Sequence, residues 1–148
     1  DFAVGHPSDA LFEGLGSAGR IADARIIQVP ATTVDEEWAA LGRPPVSVLK
    51  IDVEGAEGLV LEGARRMVEA CRPAILLEWA DAYLAHFGTK ADALLSWSQE
   101  WGYRLYSVPA GTPVTDPQLL AVQMLNCQNF LLLSSQDLAM PLKMKGTP

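Results

Sequence analysis

Residues 49–57 read Leu-Lys-Ile-Asp-Val-Glu-Gly-Ala-Glu. The run Val46–Ile51 is apolar except for Ser47 and Lys50, and it leads directly to Asp52 and Glu54. Gly55 permits a turn. Apolar residues then recur at 56, 59, 60, 64, 67, 68 and 71, the spacing of an amphipathic helix. The pattern predicts a buried parallel strand, Val46–Val53, that hands its carboxylates to the opening of a helix, Ala56–Cys71. In open α/β sheets ligands bind beyond the carboxyl ends of strands, so Asp52 and Glu54 stand where chemistry is expected.

The same logic extends in both directions. Arg72-Pro73 ends the helix, and Ala74–Glu78 reads as a second short apolar strand that again finishes on a carboxylate. Asp81–Phe87 predicts helical turns closed by Gly88. Thr89 with Asp92 resembles a capping box for a helix that carries Leu94, Trp97 and Trp101 on one face and stops at Gly102. Tyr103–Val108 reads as a third strand, Pro109–Pro113 as a turn, 114–126 as a long connection, and Asn129–Ser135 as a buried fourth strand. Upstream, Ile26, Ile27 and Val29 suggest a short strand ending at Pro30. Thr33 or Asp35 can cap a helix over Glu36–Leu41, which Gly42 and Pro44-Pro45 stop. Residues 1–25 read as an irregular lead-in with a weak helix around Asp9–Leu15, and 136–148 as a tail. Strands alternating with helices imply one α/β domain with a mostly parallel sheet covered on both faces. The last two strands lack a helix-length pattern between them, so one can run antiparallel.

Composition narrows the function classes. The net charge of −7 argues against a nucleic-acid backbone as partner. Arg65, Arg66 and Arg72, the nearest approach to a basic cluster, suit a solvated helix face. No apolar run approaches the roughly 20 residues that span a bilayer, and no charged-then-apolar leader opens the sequence, so no membrane partner is expected. Cys71 and Cys127 lie far apart without a C-x-x-C, which reads as two buried thiols in a reducing, cytoplasmic setting; spacing leaves a disulfide open. Neither a Ser-His-Asp set nor Cys/His metal spacing occurs.

Several motifs occur in a telling order: Val29-Pro-Ala-Thr-Thr-Val-Asp35, Lys50–Glu57, Val60-Leu-Glu-Gly-Ala64, Pro73, and Leu76-Leu-Glu78. Over residues 26–135 this series resembles the FkbM-type family of S-adenosylmethionine-dependent methyltransferases. The resemblance implies a class I, Rossmann-like sheet. Val46–Val53 would be its fourth strand, Ala74–Glu78 its fifth, and Tyr103–Val108 and Asn129–Ser135 its last two, the final one antiparallel. It implies S-adenosylmethionine as cofactor and O-methylation of a small molecule or sugar. The family binds its cofactor through a Gly-rich turn after the first strand and an acidic residue after the second. Gly14-Leu-Gly16-Ser-Ala-Gly19 has the spacing G-x-G-x-x-G, but no strand precedes it, and it reads as a loop. The expectation is therefore the C-terminal half of a methyltransferase domain, a fragment whose partner is the missing N-terminal half. The alternative is a non-catalytic α/β packing or interaction module.

Asp52 leads the candidate residues. Methyl transfer to oxygen needs an aligned acceptor and removal of its proton. A carboxylate at a strand end can orient the hydroxyl, touch the cofactor, or hold a cation; the plain alternative is a helix cap. Glu78, ending the adjacent strand, could join Asp52 in a two-carboxylate Mg²⁺ site, since hard cations prefer oxygen ligands, or it could pair with Lys50. Glu54 is a second candidate for cofactor contact, although Glu54 and Glu57 also suit the turn and helix start. His86 is a candidate general base, or a half-exposed surface histidine. Lys50 inside an apolar strand suggests a buried ion pair. Trp79, Tyr83 and Phe87 could wall an acceptor pocket or pack in the core. His6 carries no argument. An EF-hand over Asp52–Gly63 is excluded, because Glu57 stands where glycine is needed and Gly63 where glutamate is needed.

Overall fold

A computed structural model describes residues 30–135. The first helix, α1 (Val34–Ala40), opens on a reciprocal capping box: Glu36 N–H donates to Thr33 Oγ1, and Thr33 N–H donates to Glu36 Oε2. Thr33, not Asp35, is therefore the cap. Asp35 does a different job. Its carboxylate accepts from the backbone N–H groups of Arg66 at 3.0 Å and Met67 at 2.8 Å, while its own N–H donates to the Gly63 carbonyl.

That contact explains a departure from the sequence reading. The helix expected over Ala56–Cys71 is two helices, α2 (Glu57–Glu62) and α3 (Arg65–Cys71). Ala64, at the start of α3, supplies no side-chain cap; Asp35 supplies it from across the fold. The apolar period runs on through the break because Leu61, Ala64, Met67 and Val68 all face the same core. α3 ends on Arg72 in the left-handed region, with its guanidinium donating to the carbonyls of Trp101 and Gly102 and lying over the Tyr103 ring.

The sheet contains β1 (Val48–Ile51), β2 (Ala74–Glu78), β3 (Tyr103–Val108), β4 (Thr112–Val114) and β5 (Asn129–Ser134), in the spatial order β1-β2-β5-β3-β4. β1 and β2 pair in parallel; every other adjacent pair is antiparallel. The expected antiparallel final strand is present. The expected mostly parallel sheet is not, because β5 inserts between β2 and β3 and so separates two strands that share a direction. The long connection expected over 114–126 contains β4 and α6 (Pro117–Met124). β4 sits on the sheet edge, where Pro113 costs no ladder bond. Asp116 caps α6 by accepting from Leu119 N–H, and Pro117 takes the first helical position.

Between β2 and β3 run α4 (Asp81–Leu84), a 3₁₀ turn (Ala85–Phe87) and α5 (Ala93–Glu100). Asp92 precedes α5 without a side-chain cap bond, so the capping box read at Thr89 and Asp92 does not form. Trp79 is fully buried, meets Trp97 edge to face at 5.9 Å, and donates its indole N–H to the Ala91 carbonyl. It belongs to the core and not to a pocket wall. β1 differs from the buried strand expected. Only its Ile51 is buried, Val48 is 64% exposed, and among the described residues no strand pairs with its outer edge. Cys71 and Cys127 are free thiols. The readings for residues 1–29, including the short strand at Ile26–Val29, Gly14–Gly19 and His6, and for the tail from 136 lie outside the described residues.

Candidate functional site

The parallel register of β1 and β2 sets Ile51 beside Leu77, so the next residues, Asp52 and Glu78, emerge together at the carboxyl ends of neighbouring strands. The chain then turns through Glu54 at φ 53° and Gly55 at φ 104°, both in the left-handed region. Position 55 requires glycine twice over. A Cβ there would lie 2.4 Å from the Tyr83 carbonyl oxygen, so the turn after β1 rests directly on α4. From the other side, Glu57 reaches back and accepts at one oxygen, Oε1, from both Val53 N–H (3.1 Å) and Gly55 N–H (3.3 Å).

This turn brings three of the anticipated residues together. Carboxylate oxygens of Asp52, Glu54 and Glu78 lie within 4.8 Å of one another. Asp52 and Glu54 are exposed and Glu78 is half-buried. Lys50, two residues before Asp52 and so on the same strand face, places its ammonium 2.6 Å from Asp52 Oδ2. The pair is solvent-exposed, with side chains 59% and 48% accessible, which corrects the buried ion pair expected for Lys50. Lys50 pairs with Asp52 and not with Glu78.

The two strand-end carboxylates differ in proton affinity. The hydrogen bond and charge of Lys50 hold Asp52 below the ordinary aspartate range. Burial, and then the negative charges of Asp52 and Glu54, push Glu78 above the ordinary glutamate range. One site thus holds a carboxylate that stays ionised and a neighbour that binds a proton more readily. Carboxylates are acceptor-only groups when ionised, so the arrangement can orient a hydroxyl or ammonium donor and pass a proton between unequal partners.

His86 is not brought to this group. It sits exposed in the 3₁₀ turn Ala85–Phe87, outside the set of converging ligand atoms. Tyr83 and Phe87 are half-buried on the same segment, and Tyr83 abuts the acidic turn through its backbone and Cβ. Sequence reasoning left Glu57 at the helix start; it is the buried carboxylate under the turn, 1% exposed. The signal available was its place two residues after a glycine at the strand end. Apart from this site, an apolar groove of about 380 Å³ lies between α1 and β1, lined by Thr33, Trp38, Leu41, Pro44, Leu49 and Met67 among others. It shares no residue with the acidic group. Among the described residues no helix is long and apolar enough to cross a membrane.

A family model described as the methyltransferase FkbM domain matches residues 2–105. The match takes in Asp52, Glu54, Glu78 and His86 and ends within β3. No curated protein and no solved structure gives a match.

Proposed function

The chain belongs to the FkbM methyltransferase family, and from that premise we propose that it serves methyl transfer from S-adenosylmethionine to an oxygen of a small-molecule or sugar acceptor, at the carboxylates after β1 and β2. The observation that supports this most directly is the convergence of Asp52, Glu54 and Glu78 beyond parallel strand ends. Transfer forms a carbon–oxygen bond, releases a neutral thioether, and requires the acceptor hydroxyl to give up one proton. Asp52, kept ionised by Lys50, accepts the hydrogen bond of that hydroxyl and orients it. The proton passes along that hydrogen bond to Asp52 as the carbon–oxygen bond forms, and from there to Glu78, which has the higher proton affinity. Glu54 and Asp52 are the residues that would accept from the ammonium or ribose hydroxyls of the methyl donor. His86 has no part in this scheme.

The donor set also suits a hard divalent cation such as Mg²⁺, which Asp52 and Glu78 would hold and which would stabilise the acceptor's developing alkoxide. The outer edge of β1, unpaired among the described residues, supports a further element of the reading: a cofactor-binding half of the sheet paired along Val48–Ile51.

Asp52→Asn in the full-length protein tests the assignment, with labelled S-adenosylmethionine and a panel of sugars and hydroxylated small molecules. Loss of one acid–base or charge-stabilising group should lower turnover by roughly 10²-fold with the melting temperature unchanged. Retained activity would leave Asp52 as no more than the exposed partner of Lys50, since Ala56 opens α2 without a side-chain cap. Activity that survives exhaustive chelation would remove the cation.

A further inference from the structure

Glu57 lies beneath the acidic turn and takes no part in the proton path above. Its burial is unusual for an ionisable side chain at 1% exposure. Oε1 accepts two backbone N–H groups, whereas Oε2 is enclosed without any hydrogen-bond partner. Enclosing a carboxylate with one oxygen unpaired is costly. A side chain kept in that state is compensated through what its other oxygen does.

That oxygen gathers the N–H groups of Val53 and Gly55, the two residues that flank Glu54. Glu54 holds a backbone conformation that L-residues adopt rarely. The opposite side of the turn is pressed against the Tyr83 carbonyl. We propose that Glu57 is the positioning residue of the acidic site, fixing the turn from which Asp52 and Glu54 reach Glu78. The role depends on reach and on an acceptor oxygen. Shortening the side chain by one methylene, about 1.5 Å, takes the oxygen out of range of both N–H groups. Exchanging the second oxygen for an amide nitrogen does not. The inference builds on the reading of Asp52 and Glu78 as the site, but its test reads geometry and needs no methyl acceptor.

The experiment is nuclear magnetic resonance at pH 7 on the isotope-labelled full chain. In wild type, through-hydrogen-bond couplings should connect the Glu57 side-chain carbonyl carbon to the amide nitrogens of Val53 and Gly55; their absence would overturn the proposal. Three variants follow. Glu57→Gln keeps the acceptor and loses the charge; it should retain the downfield amide shifts of Val53 and Gly55 and leave the side-chain carboxyl resonances of Asp52, Glu54 and Glu78 near their wild-type positions. Glu57→Asp keeps the charge and loses the reach; it should lose those amide shifts and move all three carboxyl resonances, as should Glu57→Ala. Thr33→Ala, which removes the α1 cap, should lower the melting temperature without moving them. A wild-type spectrum for Glu57→Asp, or an Ala-like spectrum for Glu57→Gln, would refute the positioning role. So would carboxyl resonances that stay fixed while the amides move. If the Asp and Ala variants do not fold, the wild-type couplings and the Gln spectrum still decide. Failure of methyl transfer by the wild-type protein would count against the catalytic reading alone.

Discussion

Replacing Asp35 by alanine should weaken the fold while sparing the chemistry. Asp35 closes the Val29–Asp35 segment and could have capped its own helix, yet its carboxylate is spent on the first turn of α3. Loss of a side-chain cap costs about 1 kcal/mol, and a hydrogen bond to a charged group about 1.5–3 kcal/mol net. The Arg66 N–H belongs to an exposed residue and can turn to water, whereas the Met67 N–H belongs to a buried one. One bond is therefore largely recovered and the other is not. We expect a loss of about 2–3 kcal/mol, which for a domain of this size corresponds to a fall of roughly 5–10 °C in melting temperature. Thermal and urea denaturation of Asp35→Ala and Asp35→Asn provide the measurement. The asparagine variant keeps one acceptor oxygen and should lose about half as much. Methyl transfer per folded molecule should be unchanged. A stability change within ~0.5 kcal/mol would refute the capping account. Lost activity in a fully stable variant would move Asp35 into the site.

Three further outcomes follow from the site and its edge. Gly55→Ala combines an unfavourable φ with a 2.4 Å approach to Tyr83 and should cost about 2–4 kcal/mol, whereas Gly111→Ala, with positive φ but open space, should cost only about 1 kcal/mol; denaturant melts of the two compare clash with strain alone. Burial and the neighbouring carboxylates raise the folded-state pKa of Glu78 above the ordinary glutamate range, so its neutral form favours the fold at low pH and that contribution is lost as pH rises through its folded midpoint; Glu78→Gln should flatten this decline, and an unchanged pH–stability curve would contradict the assigned direction. The outer edge of β1, which pairs with no strand among the described residues and carries exposed Val48, should drive self-association of the chain; sedimentation velocity should show Val48→Lys shifting the population towards monomer, and a wild-type chain that is monomeric at all concentrations would contradict it.

The central strand-to-acid motif was legible because it is local. An apolar run, a glycine and a carboxylate at the strand end are consecutive in the chain, and the parallel β1–β2 pair follows from the helices between them. The break at Gly63-Ala64 was not legible, since its cause is Asp35, some thirty residues upstream. Hydrophobic period reports which face is buried, and both short helices bury the same one. β4 and α6 were missed for another reason: Pro113 read as the end of a turn and Pro117 as part of a long connection, although Asp116-Pro117 is also a cap followed by a first-turn proline. Of the site, Asp52, Glu54 and Glu78 could be named from the sequence. Lys50 was identified as an ion-pair former, but its exposure depends on β1 being an edge, which is a property of the whole sheet. His86 carried only its residue type, and the fold leaves it on the surface.

The insertion of β5 between β2 and β3 has a consequence for how the chain is made. β2 and β3 are both synthesised well before Asn129–Ser134, yet each lacks one of its two lasting neighbours until that segment leaves the ribosome. The parallel β1–β2 unit and the β3–β4 hairpin must wait as separate pieces, each with an unsatisfied edge, for a strand that arrives last and sits in the middle. Topologies of this kind fold slowly and expose sticky edges while they wait. During translation both edges stay open over an interval set by the distance from Val114 to Asn129. A stop codon anywhere in that interval would yield two half-sheets with nothing to join them.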